Sequence, residues 1–87
     1  MDIEDIKPHA FNFEYLEKLP VVAQGHTANL ILDSPFFRLW LTRTGYEGIR
    51  QAEIELYTGN GWQSAIIITQ MYECGEWINC PASVLLR

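Results

Sequence analysis

Residues 51–72, Gln51-Ala52-Glu53-Ile54-Glu55-Leu56-Tyr57-Thr58-Gly59-Asn60-Gly61-Trp62-Gln63-Ser64-Ala65-Ile66-Ile67-Ile68-Thr69-Gln70-Met71-Tyr72, read as a β-hairpin. From Gln51 to Thr58 polar and apolar residues alternate with the period of a strand. Ala52, Ile54 and Leu56 fall on one face; Gln51, Glu53, Glu55 and Tyr57 fall on the other. Gly59-Asn60-Gly61 supplies the residues that tight hairpin turns require. A two-residue loop places Ile54 and Leu56 on the face of Ala65 and Ile67. A three-residue loop with a bulge at Gly61 places them on the face of Ser64, Ile66 and Ile68. One residue of slip exchanges the faces, and the second register is expected because it sets apolar against apolar. In either register Ile66-Ile67-Ile68 leaves apolar groups on both sides, so this strand is central or covered.

The pattern extends outward in both directions. Upstream, Asn29-Leu30-Ile31-Leu32 is closed by the turn residues Asp33-Ser34-Pro35. Phe36 to Thr44 then alternates, with Phe37, Leu39 and Leu41 toward a core and Phe36, Arg38, Trp40 and Thr42 opposite. Arg38 is placed to lie along the ring of Phe36 or Trp40. A loop follows at Thr44-Gly45-Tyr46-Glu47-Gly48. Downstream, Cys74-Gly75-Glu76 turns into a last strand from Trp77 to about Cys80, where Pro81 restricts pairing to an edge or marks a bulge. Val84-Leu85-Leu86 finishes the chain.

The amino-terminal third is different. In residues 1–11 Ile3 and Ile6 make at most one short turn, because Pro8 disfavours helical geometry at Lys7. Asn12 is an N-cap for a helix over Phe13–Leu19, with Glu14 in its first turn, four residues before Lys18. Leu16 and Leu19 form its apolar stripe, and Pro20 stops it. Two turns of helix are not stable alone and must dock on the sheet. Val21-Val22 is a candidate for a short strand. The expected fold is α+β: a short N-terminal helix packed on a four- to five-stranded antiparallel β meander, as one domain over 1–87. Residues 1–27 hold the acidic lead-in and helix, and 28–87 hold the meander.

Composition narrows the function classes. A chain of 87 residues with 48% hydrophobic and 13% aromatic content is globular, yet it buries only roughly 60–65% of its unfolded surface. Some large apolar groups are therefore left for an interface. The net charge is −5. Residues 1–33 carry Asp2, Glu4, Asp5, Glu14, Glu17 and Asp33 against Lys7 and Lys18, so the acidity is concentrated there. Nucleic-acid affinity comes largely from cations that displace counterions, which argues against direct DNA or RNA binding. The start of the chain is acidic where a targeting segment is basic then apolar, and no apolar run approaches the ~20 residues of a membrane span. A cytoplasmic protein with reduced thiols is the expectation, with no membrane association.

Candidate chemistry is sparse. His9, His26, Cys74 and Cys80 lack the close ligand pairs of structural zinc sites. They read as loop histidines and apolar-like thiols, so no metal or cofactor is expected. Cys74 and Cys80 fall at opposite ends of one predicted hairpin, and a cross-strand disulfide is open to them under oxidation. Glu53 and Glu55 project from one strand face roughly 7 Å apart. A carboxylate pair of this kind runs glycoside hydrolysis only around a cleft, which a small meander scarcely provides. They read better as an acidic strip beside Tyr57, answered by Arg43 or Arg50. Phe36, Trp40, Tyr57, Trp62, Tyr72 and Trp77 are core and cross-strand packing first, interface anchors second, and base-stacking platforms last, given the glutamates among them. Gly59-Asn60-Gly61 lacks the following Lys-Ser/Thr of a phosphate loop.

The expectation is a non-enzymatic protein-binding module of inhibitor or adaptor type. It turns an acidic surface to a basic partner protein, such as one that handles nucleic acid. Small inhibitors of phages and mobile elements do this, by analogy alone. The candidate contact residues are Glu53, Glu55, Tyr57, Trp40, Arg38, Trp62, Glu14 and Glu17. The alternative is a homodimer or accessory subunit that assembles through the exposed sheet face or an edge.

Overall fold

The computed structural model of the chain describes residues 12–42 and 48–85. The lead-in with Ile3, Ile6 and His9, the loop positions Arg43 to Glu47, and Leu86 lie outside them.

Helix α1 (Phe13–Glu17) starts where its cap dictates: the Asn12 side chain accepts from the Tyr15 N–H at 3.0 Å. It is shorter than the expected Phe13–Leu19. Lys18 and Leu19 continue it as a tightened turn, donating to the carbonyls of Tyr15 and Leu16. Its first residue, Phe13, is buried, and Leu16 and Leu19 pack against the same core.

The remaining elements form one antiparallel sheet. Strands β1 (Ala23–Gln24), β2 (Ala28–Asp33), β3 (Phe37–Thr42), β4 (Ile49–Thr58), β5 (Gly61–Glu73) and β6 (Glu76–Asn79) lie side by side in chain order. The short β7 (Ser83–Val84) returns to β5, pairing Val84 with Ile66 and Ser83 with Ile67. The meander is thus longer than the four or five strands expected. A strand forms just after Val21-Val22, at Ala23–Gln24. The interruption at Pro81 divides one edge strand into β6 and β7, which follow the same side of β5.

Two bulges set the faces. The hairpin loop has two residues, Gly59 and Asn60, with Thr58 opposite Gly61 and Tyr57 opposite Trp62. The expected three-residue loop with a bulge at Gly61 is therefore not what forms. The compensating extra residue is Ala65, between the pairs Glu55/Ser64 and Ile54/Ile66. It restores the apolar match that motivated the other register: Ile54 faces Ile66 and Ala52 faces Ile68. A second shift at Ile31, between the pairs Leu30/Trp40 and Leu32/Leu39, lets both Leu30 and Ile31 be buried.

The core lies on one side of the sheet. Phe13, Ile31, Leu39, Leu41, Ala52, Ile66 and Ile68 form it, with Ile54, Ala82 and Val84 at its margin. Cross-strand partners share a face, so Arg38, Trp40, Gln51, Glu53, Glu55, Tyr57, Trp62, Ser64, Ile67, Thr69 and Met71 point to the other side. Among the described residues no helix packs on that side.

Candidate functional site

The helix-free face gathers six of the eight candidate residues. In one row across the sheet Leu30 stands opposite Trp40, Trp40 opposite Glu53 and Glu53 opposite Ile67. In the neighbouring row Asp33 stands opposite Arg38, Arg38 opposite Glu55 and Glu55 opposite Ser64. Tyr57 and Trp62 follow, as an edge-to-face pair with ring centroids 5.5 Å apart.

Polar contacts hold these side chains in place. The Trp40 indole Nε1–H donates to Glu55 Oε1 at 2.6 Å, a short bond because the acceptor is charged. The guanidinium of Arg38 lies 4.0 Å from the centroid of the Trp62 ring, not along Phe36 or Trp40 as expected, and its Nε reaches Asp33 at 3.3 Å. Trp40 is also fixed from behind. A methyl group at Gly25 would sit 2.5 Å from the Ala28 carbonyl oxygen and 3.3 Å from Trp40 Cζ3, so the β1–β2 turn can approach the ring only with glycine there. Glu53, half-buried between Trp40 and Ile67, makes no side-chain hydrogen bond or ion pair among the described residues.

Glu14 and Glu17 do not belong to this group. They sit on the helix side, where Arg50 binds both, at 2.9 Å to Glu14 and 3.2 Å to Glu17. Arg50 thus answers the helix and not the Glu53/Glu55 strip, and Arg43 is outside the described residues. The reason is strand alternation: Arg50 and Ala52 point one way, Gln51 and Glu53 the other. Arg50 is enclosed. Its guanidinium lies 4.8 Å from the Phe13 ring and 4.2 Å from the Trp77 ring, and its Nε donates to Gln70 at 2.7 Å. Gln70 in turn donates to Asn79 at 2.7 Å. The bond from Arg50, with a smaller contribution from a backbone bond, holds the Glu14 carboxyl below the usual carboxylate range.

The remaining candidates stay apart. Cys74 and Cys80 are free thiols. Cys74 occupies the turn and Cys80 follows the far end of β6, so strand geometry separates them by more than a disulfide spans. His26 is exposed between β1 and β2, and no group of three metal-ligating side chains forms among the described residues. Two grooves can be traced among the described residues. One of about 360 Å³ has Thr27, Thr42, Ile49 and Gln51 in its lining. Another of about 160 Å³, beside the helix, is lined in part by Leu16, Leu19, Asn29, Ile31 and Leu41. Neither described lining pairs a nucleophile with a base.

Sequence reasoning missed three residues of that face. Ile49, Met71 and Ile78 stand in one row across β4, β5 and β6 and are 44, 46 and 41% exposed. Alternation gives Ile49 and Met71 away once the strand limits are known. Ile78 requires the register of β6 on β5.

Comparison with protein-family models, with curated proteins and with solved structures returns no match for this chain. No helix among the described residues is long and apolar enough to cross a membrane.

Proposed function

We propose that this protein is a small non-enzymatic protein-binding module of inhibitor or adaptor type, and that the helix-free face of its sheet is the contact surface. The observation that carries this reading is the half-buried carboxylate of Glu53 between Trp40 and Ile67, which has no hydrogen-bond or ion-pair partner among the described residues. Around it, among the described residues, the face holds Asp33, Glu53 and Glu55 against one cation, Arg38, which already rests on Trp62. A surface of ordered aromatic rings with excess negative charge fits a partner that brings a Lys or Arg to Glu53 and apolar side chains to Trp40, Tyr57 and Trp62. An enzyme with a basic, nucleic-acid-handling cleft has that chemistry. A cytoplasmic setting accords with the two separated free thiols.

The test uses tagged protein to capture a partner from the native cell, followed by rebinding of the purified partner to variants. Glu53→Lys and Tyr57→Ala alter surface groups and leave the core intact. Loss of binding with both, and weakening of wild-type binding from low to high salt, are the expected results. A partner that binds wild type and Glu53→Lys equally, or that is indifferent to salt, refutes the reading.

A further inference from the structure

We infer that β6 is a self-pairing edge, and that two copies of this chain join there into one continuous sheet about a two-fold axis at Ile78. This goes beyond the contact surface proposed above and does not depend on it.

The inference starts from how the sheet ends. Edge strands in soluble proteins are blunted by brevity, bulges, proline or inward-pointing lysine. At the other end of this sheet β1 has only two residues. Strand β6 is short, at four residues, but it carries no bulge, proline or lysine over Glu76-Trp77-Ile78-Asn79, and among the described residues no strand pairs with its outer side. Its pairing with β5 runs without a shift from Glu73/Glu76 to Gln70/Asn79, and Pro81 comes only after it. Its sole charge is Glu76, beside the turn. The exposed apolar row Ile49–Met71–Ile78 runs straight to this edge and stops there.

Backbone direction identifies which groups are offered. The Cys80 N–H donates inward, to the Thr69 carbonyl at 3.0 Å. Alternation then turns the N–H and C=O of Ile78 inward as well, and those of Trp77 and Asn79 outward. A second β6 can dock antiparallel only in registers that keep like faces together, which places the axis on a residue and not between two. With the axis on Ile78, Trp77 pairs with Asn79 of the second copy and Asn79 with its Trp77, so the outward groups form four hydrogen bonds. The two Ile78 residues become a non-hydrogen-bonded pair, the kind with the closest side chains. The apolar rows of the two copies merge, and Glu76 meets Cys80 of the second copy, so no carboxylate faces another. With the axis on Trp77, Glu76 would lie opposite the aliphatic Ile78, a poorer match.

An edge this short buries less than the roughly 800 Å² per partner of a standard interface, so the dimer is weak. Each copy carries −5, so salt strengthens self-association by screening the repulsion. That sign is opposite to the one expected for a basic partner, and the two proposals fail independently.

Sedimentation equilibrium of the full chain, from low micromolar to millimolar concentration at low and high salt, tests the inference. A monomer–dimer equilibrium that moves toward dimer with concentration and with salt is expected. Ile78→Lys should weaken it by about tenfold or more, because like charges then meet on the axis. In a Cys74→Ser, Cys80→Ser background, Ile78→Cys should yield a covalent dimer under mild oxidation. A strict monomer throughout, a dimer indifferent to Ile78→Lys, or no cross-link from Ile78→Cys overturns the inference. Circular dichroism of each variant verifies the fold, and the Ile78→Cys cross-link remains decisive if Ile78→Lys perturbs it.

Discussion

Replacing Arg50 tests what fixes the helix to the sheet. Its side chain is only 12% exposed, whereas the Glu14 and Glu17 side chains it binds are 65 and 43% exposed. Ion pairs to carboxylates that wet contribute little. The enclosed contacts weigh more. Two aromatic faces at 4.8 and 4.2 Å contribute about 0.5–2 kcal/mol each when partly desolvated. Gln70, buried to 8% exposure, would be left with an unsatisfied Oε1 at a cost of about 1–3 kcal/mol. Arg50→Ala is therefore expected to destabilise the protein by about 3–5 kcal/mol, a large part of the roughly 5–15 kcal/mol that holds a domain together. Arg50→Lys should recover only a minor share, since an ammonium can neither stack flat on both rings nor reach Gln70 with the same fork. Urea unfolding followed by tryptophan fluorescence measures all of these, with the Glu14→Gln, Glu17→Gln double variant as the comparison. If the double variant loses as much stability as Arg50→Ala, or if Arg50→Lys is as stable as wild type, the ranking of ring and amide contacts over exposed ion pairs is wrong.

Other outcomes follow from the same geometry. Deleting Ala65 removes the bulged residue and sets Glu55/Ser64 and Ile54/Ile66 in one unbroken ladder, so Ile66 and Ile68 keep their face; a cooperative urea transition at a shifted midpoint is expected, and loss of cooperativity would refute the pairing. Cys74 holds φ +52 and Gly75 φ +86, the pair of positive angles of a type I′ turn, so Cys74→Asn should raise stability by about 0.5–1 kcal/mol in the same assay. The folded-state pKa of Glu14 is depressed, so its contribution is fully present above the ordinary value of 4.5 and is lost as pH falls through the lower folded value. Urea midpoints between neutral pH and pH of about 3 should fall, and should fall less for Glu14→Gln.

Much of the architecture was legible because local signals agreed with the fold. Asn12 capped the helix, Gln51 to Thr58 alternated, and Gly59-Asn60 turned the chain. The same alternation placed Arg38, Trp40, Glu53, Glu55 and Tyr57 on one face. What was illegible depended on single inserted residues. Neither Ile31 nor Ala65 differs from its neighbours in a way that marks a bulge; each is set by which pairing of two long strands buries more apolar surface. The role of Arg50 was equally hidden. Phe13, Trp77, Gln70 and Glu17 are far from it in sequence, and only the register of β4, β5 and β6 brings them to it. Glu14 and Glu17 were placed with the strand glutamates on charge alone, and charge does not reveal which side of a sheet a residue occupies.

The stacking of Phe13, Arg50 and Trp77 also constrains the order in which the molecule is made. The first described helix leans on a ring from the last hairpin, more than sixty positions later in the chain. During synthesis α1 emerges from the ribosome long before Trp77, and a helix of five residues cannot persist without its seat. The amino-terminal segment therefore waits, undocked, until nearly the whole chain is out. Chains stalled just short of Trp77 should be cut by protease around Phe13, and chains released at full length should not. Equal cleavage of the two would mean that β2 to β5 alone suffice to seat the helix.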